Sequence, residues 1–108
     1  GAADPSFTLR DMYVFPNPAV GGARPTLHAA VGIADKVTLR IYNMAGQQAH
    51  QATLEDAPPV IDDGSGPKYA YEYTWDGRIP SGVYLYTMTA EKSGHADIRK
   101  SGKFAVVR

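Results

Sequence analysis

Tyr69, Tyr71, Tyr73 and Trp75 occupy every second position of one short run, with Ala70, Glu72 and Thr74 between them. Side chains alternate between the two faces of an extended strand, whereas a helix returns to one face only every three to four residues. Four large rings at period two therefore call for a strand with one aromatic face, and that face needs a second layer to cover it. The same period recurs at Val37, Leu39 and Ile41, opposed by Thr38, Arg40 and Tyr42. It recurs again at Tyr84, Tyr86 and Met88, opposed by Val83 and Leu85. No segment carries an apolar 3.6-residue period of helical length.

Turn chemistry divides the rest into short strands. Met12–Phe15 reads as a first strand, interrupted by Pro16-Asn17-Pro18. Proline removes ladder donors, so this strand is expected at a sheet edge or bending from one sheet toward another. Gly21 to Pro25 is a turn, Thr26–Val31 a second strand, and Gly32 to Lys36 a further turn. After the strand at 37–42, Asn43 to Gly46 turns the chain, with Gly46 supplying a positive φ. Gln47–Leu54 is more polar and suits an edge; Glu55–Pro67 reads as a long loop. Asp76-Gly77 and Pro80-Ser81-Gly82 bound the turn before the strand Val83–Ala90. Ala96–Arg99 and Lys103–Val107 complete the set, with Ser101-Gly102 expected as a bulge or small turn.

About seven short strands with regular turn signals predict an all-β chain. The expected form is an immunoglobulin-like (fibronectin type III-like) antiparallel β-sandwich of two sheets. Val37, Leu39, Ile41, Tyr71, Tyr73, Trp75, Tyr84, Tyr86 and Met88 are expected to point inward, and Tyr42 and Tyr69 to be exposed. Residues 1–10 are expected as a linker or disordered lead-in, and 11–108 as one domain.

At 108 residues the chain can hold one real core. Eleven basic residues balance eleven acidic ones, so there is no electrostatic footprint for nucleic acid. No apolar run approaches membrane-spanning length, and membrane insertion is not expected. The absence of cysteine removes disulfides, thiol catalysis and thiolate metal sites. The start, Gly1 to Pro5, has no basic segment and no apolar stretch, unlike a signal peptide.

Four pieces stand in order: Tyr13-Val14-Phe15-Pro16-Asn17-Pro18-Ala19, Val37 to Gly46, Trp75-Asp76-Gly77-Arg78, and Ser81-Gly82-Val83-Tyr84-Leu85-Tyr86. The ending Gly102 to Arg108 follows them. Over nearly all of residues 12–108 the chain resembles the Ig-like domain of the flagellar hook-capping protein and the C-terminal sorting domains of the type IX (Por) secretion system. Only Ile79-Pro80 separates Arg78 from Ser81, shorter than the hook-cap pattern, and the 55–67 loop is longer than in a usual sorting domain. The resemblance implies a C-terminal accessory domain of an exported bacterial protein, without catalytic residues. Its motif residues here are Pro16, Asn17, Pro18, Gly46, Trp75, Asp76, Gly77, Gly82 and Tyr84. Each has a fold-level reading: Gly77 in an Asp-Gly turn, Asp76 accepting backbone N–H bonds, and Gly82 avoiding a side chain where the next strand begins close by.

Chemistry is poorly signalled. His28, His50 and His95 lie on different elements at no ligand-like spacing, and are expected at the surface or half-buried. Glu55, Asp56, Asp62 and Asp63 in the long loop lack the alternation of a helical calcium loop, and no structurally required metal or cofactor is expected. The glycine-rich pieces precede no helix and so cradle no phosphate.

The expected role is thus a non-enzymatic accessory module of a secreted or cell-surface bacterial protein, aiding export, surface attachment or assembly. Its partners would be the parent polypeptide and secretion or surface machinery. The competing expectation is a carbohydrate- or protein-binding module using exposed tyrosines or the 55–67 loop. An enzyme ranks last, because no convergent titratable groups are nominated.

Overall fold

The computed structural model describes residues 2–108, none of which is helical. The chain is all-β with several sheets, one of them curled into a half-barrel. Ten strands run in the order β1 (Asp11–Phe15), β2 (Ala19–Val20), β3 (Thr26–Ala30), β4 (Lys36–Tyr42), β5 (Gln48–Leu54), β6 (Val60–Asp62), β7 (Pro67–Tyr69), β8 (Tyr71–Thr74), β9 (Gly82–Glu91) and β10 (Ile98–Val107). They form a three-stranded sheet β1-β3-β8, a five-stranded sheet β2-β10-β9-β4-β5, and a separate hairpin β6-β7. Every pairing is antiparallel except the two-residue contact of β2 with β10, which is parallel. Two antiparallel sheets were expected, so the hairpin and the parallel pair are departures.

The core lies between the two larger sheets. Val14, Leu27, Ala29 and Tyr71 contribute from the small sheet, and Val37, Leu39, Ile41, Tyr84, Tyr86, Met88, Phe104 and Val106 from the large one. Trp75 is 6% exposed and meets Tyr84 and Phe104 edge-on, with ring centroids 5.1 and 6.3 Å away. Edge-to-face contact matches the positive rim of one ring to the negative face of another. Tyr73 is only half-buried, packed against the core margin, where its hydroxyl meets His50 Nε2. Tyr42 and Tyr69 are also half-buried rather than exposed.

The run from Tyr69 to Trp75 is not one strand. Ala70 is fully buried, and its N–H donates to Pro59 O at 3.1 Å, which detaches Tyr69 into the hairpin. The long loop is accordingly structured: Val60, Ile61 and Asp62 pair with Tyr69, Lys68 and Pro67. Alternation alone could not report this, because Tyr69 keeps the period while changing sheet.

Pro16-Asn17-Pro18 lies between an edge strand of one sheet and an edge strand of the other, and both X-Pro bonds are cis. Asn17 has a specific job, since its Oδ1 accepts the N–H of Ala105 at 3.0 Å on β10, just before β2 begins to pair there. Gly46 sits at φ +82° in a turn where Asn43 Oδ1 accepts the N–H groups of Ala45 and Gln47. Ser101-Gly102 is not a bulge. β10 pairs with β9 in unbroken register, Gly102 opposite Tyr86. A Cβ on Gly102 would lie 2.7 Å from the Tyr86 ring, so the glycine makes room for that ring to lie across the strand. At Gly82 no such crowding exists: an added Cβ would meet Tyr84 at an ordinary 3.7 Å.

Residues 5–10 run beside β3 and its continuation. Arg10 N–H donates to Ala30 O, Thr8 N–H to Val31 O, and Ile33 N–H to Pro5 O. Phe7 packs against the core. Gly32, at φ +77°, faces Ser6, whose carbonyl oxygen would be 2.0 Å from any Cβ placed there.

Candidate functional site

The most chemically loaded region is the outer face of the three-stranded sheet. Antiparallel register sets Tyr13 opposite His28, and His28 opposite Glu72, so the three share one face as a row across the strands. Asp11 precedes Tyr13 by two residues and so lies on the same face. The turn of the β6-β7 hairpin covers them. Tyr13 Oη donates to Asp63 Oδ2 at 2.7 Å, across 50 residues of sequence, and Lys68 Nζ stands 4.0 Å from Asp11 Oδ2.

That cover buries a histidine that faces away from the core. His28 is 2% exposed, not surface or half-buried as its sequence context suggested. Its ring stacks on Tyr13 with centroids 4.4 Å apart and planes 18° from parallel. Its Nδ1 lies 2.7 Å from Glu72 Oε2. An ionised carboxylate only accepts, so Nδ1 is the donor in this pair and Nε2 is the nitrogen left over. Nε2 makes no hydrogen bond to a described residue, and because no buried side-chain nitrogen or oxygen among them is left without a partner, it touches solvent.

Asp63 is held as a carboxylate. Hydrogen bonds from Ser65 and from Tyr13 hold its pKa well below the usual carboxylate range, and nearby Lys68 acts in the same direction. Tyr13 is shifted the opposite way, by burial first and then by the Asp63 carboxylate it donates to. Asp62 organises the turn, with Oδ1 accepting the N–H groups of Gly64 and Gly66. One ligand atom from each of Asp11, His28 and Asp63 lies within 4.8 Å of the other two. The sequence had suggested that the histidines and the loop carboxylates do not meet; here one of each does. No local motif could have found this, because its parts come from β1, β3 and a hairpin turn.

The other sequence candidates are dispersed. His50 stacks on Tyr73 and Trp75 at 5.5 and 5.8 Å, lying against the aromatic core. His95 is exposed and meets Phe7 edge-on. Glu55 and Asp56 lie apart from Asp63, beside a shallow hollow bounded by Pro58, Pro59 and Tyr71. Asp76 does not cap its turn; its carboxylate pairs with Arg24 Nε at 3.3 Å, while Arg24 Nη1 donates to Gly77 O. Tyr84 Oη donates to Pro80 O at 2.6 Å, tying the start of β9 to the preceding turn.

Comparison with known proteins finds no family model that matches this chain, and no matching curated protein or solved structure.

Proposed function

We propose that residues 11–108 form an immunoglobulin-like, fibronectin type III-like module without catalytic function. It serves a larger secreted or cell-surface bacterial protein in export, surface attachment or assembly. The observation that carries this reading is that five of the motif residues have structural tasks. Trp75 fills the core, Asn17 closes the end of β10, Gly46 and Gly77 supply positive φ, and Tyr84 fastens a corner.

Two features support the immunoglobulin-like assignment. Strands β1-β3-β8 and β10-β9-β4-β5 follow the sheet order of that sandwich type. The Tyr84–Pro80 hydrogen bond reproduces the tyrosine corner, in which a tyrosine near the start of a late strand bonds backbone a few residues upstream. Likeness of the ordered motifs to hook-capping and type IX sorting domains supports the exported setting. A tyrosine-row binding surface draws no support, since Tyr13, Tyr42, Tyr69 and Tyr73 are half-buried and Tyr71, Tyr84 and Tyr86 buried.

The test is to express the parent polypeptide in its own host with and without residues 11–108 and to fractionate the cells. Loss of surface or extracellular parent protein on deletion is expected. Unchanged location, assembly and abundance would refute the proposal.

A further inference from the structure

We propose that Asp11, His28 and Asp63 bind one divalent first-row transition ion, best matched by zinc, and that the ion fastens the β6-β7 hairpin to the outer face of β1 and β3. The donor set is one imidazole nitrogen and two carboxylates, with ligand atoms no more than 4.8 Å apart. Each comes from a different element, so one ion would cross-link three segments that only side chains now join.

The buried histidine is the independent pointer. The ring is 2% exposed, and its Nε2, on no protein partner, keeps only a narrow opening to solvent. Glu72 occupies Nδ1, and Tyr13 stacking fixes the ring plane. Nε2 is thereby held in one orientation and is the ring nitrogen left open to an ion. A carboxylate on one imidazole nitrogen is the usual outer support of a metal-bound histidine. Asp63 retains capacity as well: it accepts from Tyr13 Oη on Oδ2 and from Ser65 on Oδ1, and a carboxylate has about four lone-pair sites. Lys68, whose Nζ donates to Ser65 Oγ at 2.6 Å, offsets only part of the charge of Asp11, Asp63 and Glu72.

Chemistry selects the ion. Calcium and magnesium prefer shells of oxygen alone, whereas a nitrogen with two carboxylates suits zinc, with water as the fourth ligand. Zinc bonds of about 2.0–2.1 Å put tetrahedral ligands about 3.4 Å apart, so the site must tighten on binding. The strands cannot move far, but Asp63 lies on an exposed turn beside Gly64 and Gly66, at φ +106° and +100°. The hairpin closes inward onto the ion. Folding does not depend on the ion, because the core lies on the opposite face of the sheet.

The experiment uses the chelator-stripped 108-residue chain, titrated calorimetrically with zinc, calcium and magnesium chlorides in parallel. Cobalt(II) substitution reports coordination geometry through its visible spectrum. Saturable binding of one zinc ion is expected, with a rise in melting temperature. Asp63→Asn and Asp11→Asn should abolish it without unfolding the domain. Glu72→Gln, a positioning change, should weaken it by about 10–100-fold. Asp56→Asn, His50→Gln and His95→Gln should leave the affinity unchanged. Absence of saturable zinc binding would overturn the proposal, as would zinc affinity unaffected by Asp63→Asn and Asp11→Asn. Calcium binding in preference to zinc would overturn the choice of ion.

Discussion

The same three strands, β1, β3 and β8, carry two faces built on opposite principles. The inner face presents Val14, Leu27, Ala29 and Tyr71 to the large sheet, where contact is apolar and non-directional. The outer face carries a Tyr13–His28 ring stack and a His28–Glu72 hydrogen bond, and meets the hairpin through directional polar contacts, Tyr13 to Asp63 and Asp11 to Lys68. Both faces bury their central residue: Leu27 is 0% exposed and His28, its neighbour in sequence, 2%. Hydrophobic burial scales with area and tolerates small shifts, whereas a buried polar group is costly unless each partner stays in place. The inner face should therefore supply stability, and the outer face should supply position.

The largest test of that division is Trp75→Ala. Removing this ring from against the stacked pair Tyr84 and Phe104 should cost about 3–5 kcal/mol, read by chemical denaturation. His28→Ala comes next, at about 1–3 kcal/mol, because it removes the stack on Tyr13 and the partner of Glu72 but leaves the core intact. If the histidine variant loses as much as the tryptophan variant, the outer face is part of the main core and the contrast fails. Tyr13→Phe should cost less than either, since the ring stays stacked and only the hydrogen bond to Asp63 is lost. Its mark should instead be faster amide exchange in the 60–69 hairpin, with the five-stranded sheet unchanged. Equal acceleration in both would mean that the hairpin is held by something other than this bond.

Period-two alternation made the inner face legible. Val37, Leu39, Ile41, Tyr84, Tyr86 and Met88 were assignable from spacing alone, and all lie in the core. The edge character of the polar strand β5 was legible for the same reason. Alternation assigns a residue to a face but does not say whether that face is covered. Glu72 and Thr74 marked an outward face, correctly, yet His28 on that face is buried by a hairpin that proline and glycine content disguised as a loop. Gly102 shows a second limit. A glycine in a strand signals either a bulge or a close approach, and only the register with Tyr86 decides between them. The Asp11–His28–Asp63 grouping was illegible because long-range pairing, not local spacing, creates it.

The smallest effect separates the two faces by the cause of their tyrosine shifts. Burial raises the pKa values of Tyr71, Tyr84 and Tyr86 above the ordinary value of 10.0. Tyr13 is raised too, by burial and additionally by the Asp63 carboxylate. Unfolding returns all four to the ordinary value. Above pH 10 the native state thus holds more protons than the unfolded state, and stability must fall as pH rises toward the raised native values. Below pH 10 these tyrosines are protonated in both states and contribute no pH dependence. Tyrosinate absorbance during alkaline titration should show part of the seven tyrosines ionising only together with loss of structure. Asp63→Asn removes the carboxylate without touching the core, so it should ease the ionisation of Tyr13 alone and leave the inner three unchanged. A titration in which every tyrosine ionises in one step near pH 10, with the fold intact, would show that neither face shields its rings as the packing requires. An Asp63→Asn variant with no altered tyrosine would show that the hairpin turn does not hold Tyr13 in solution.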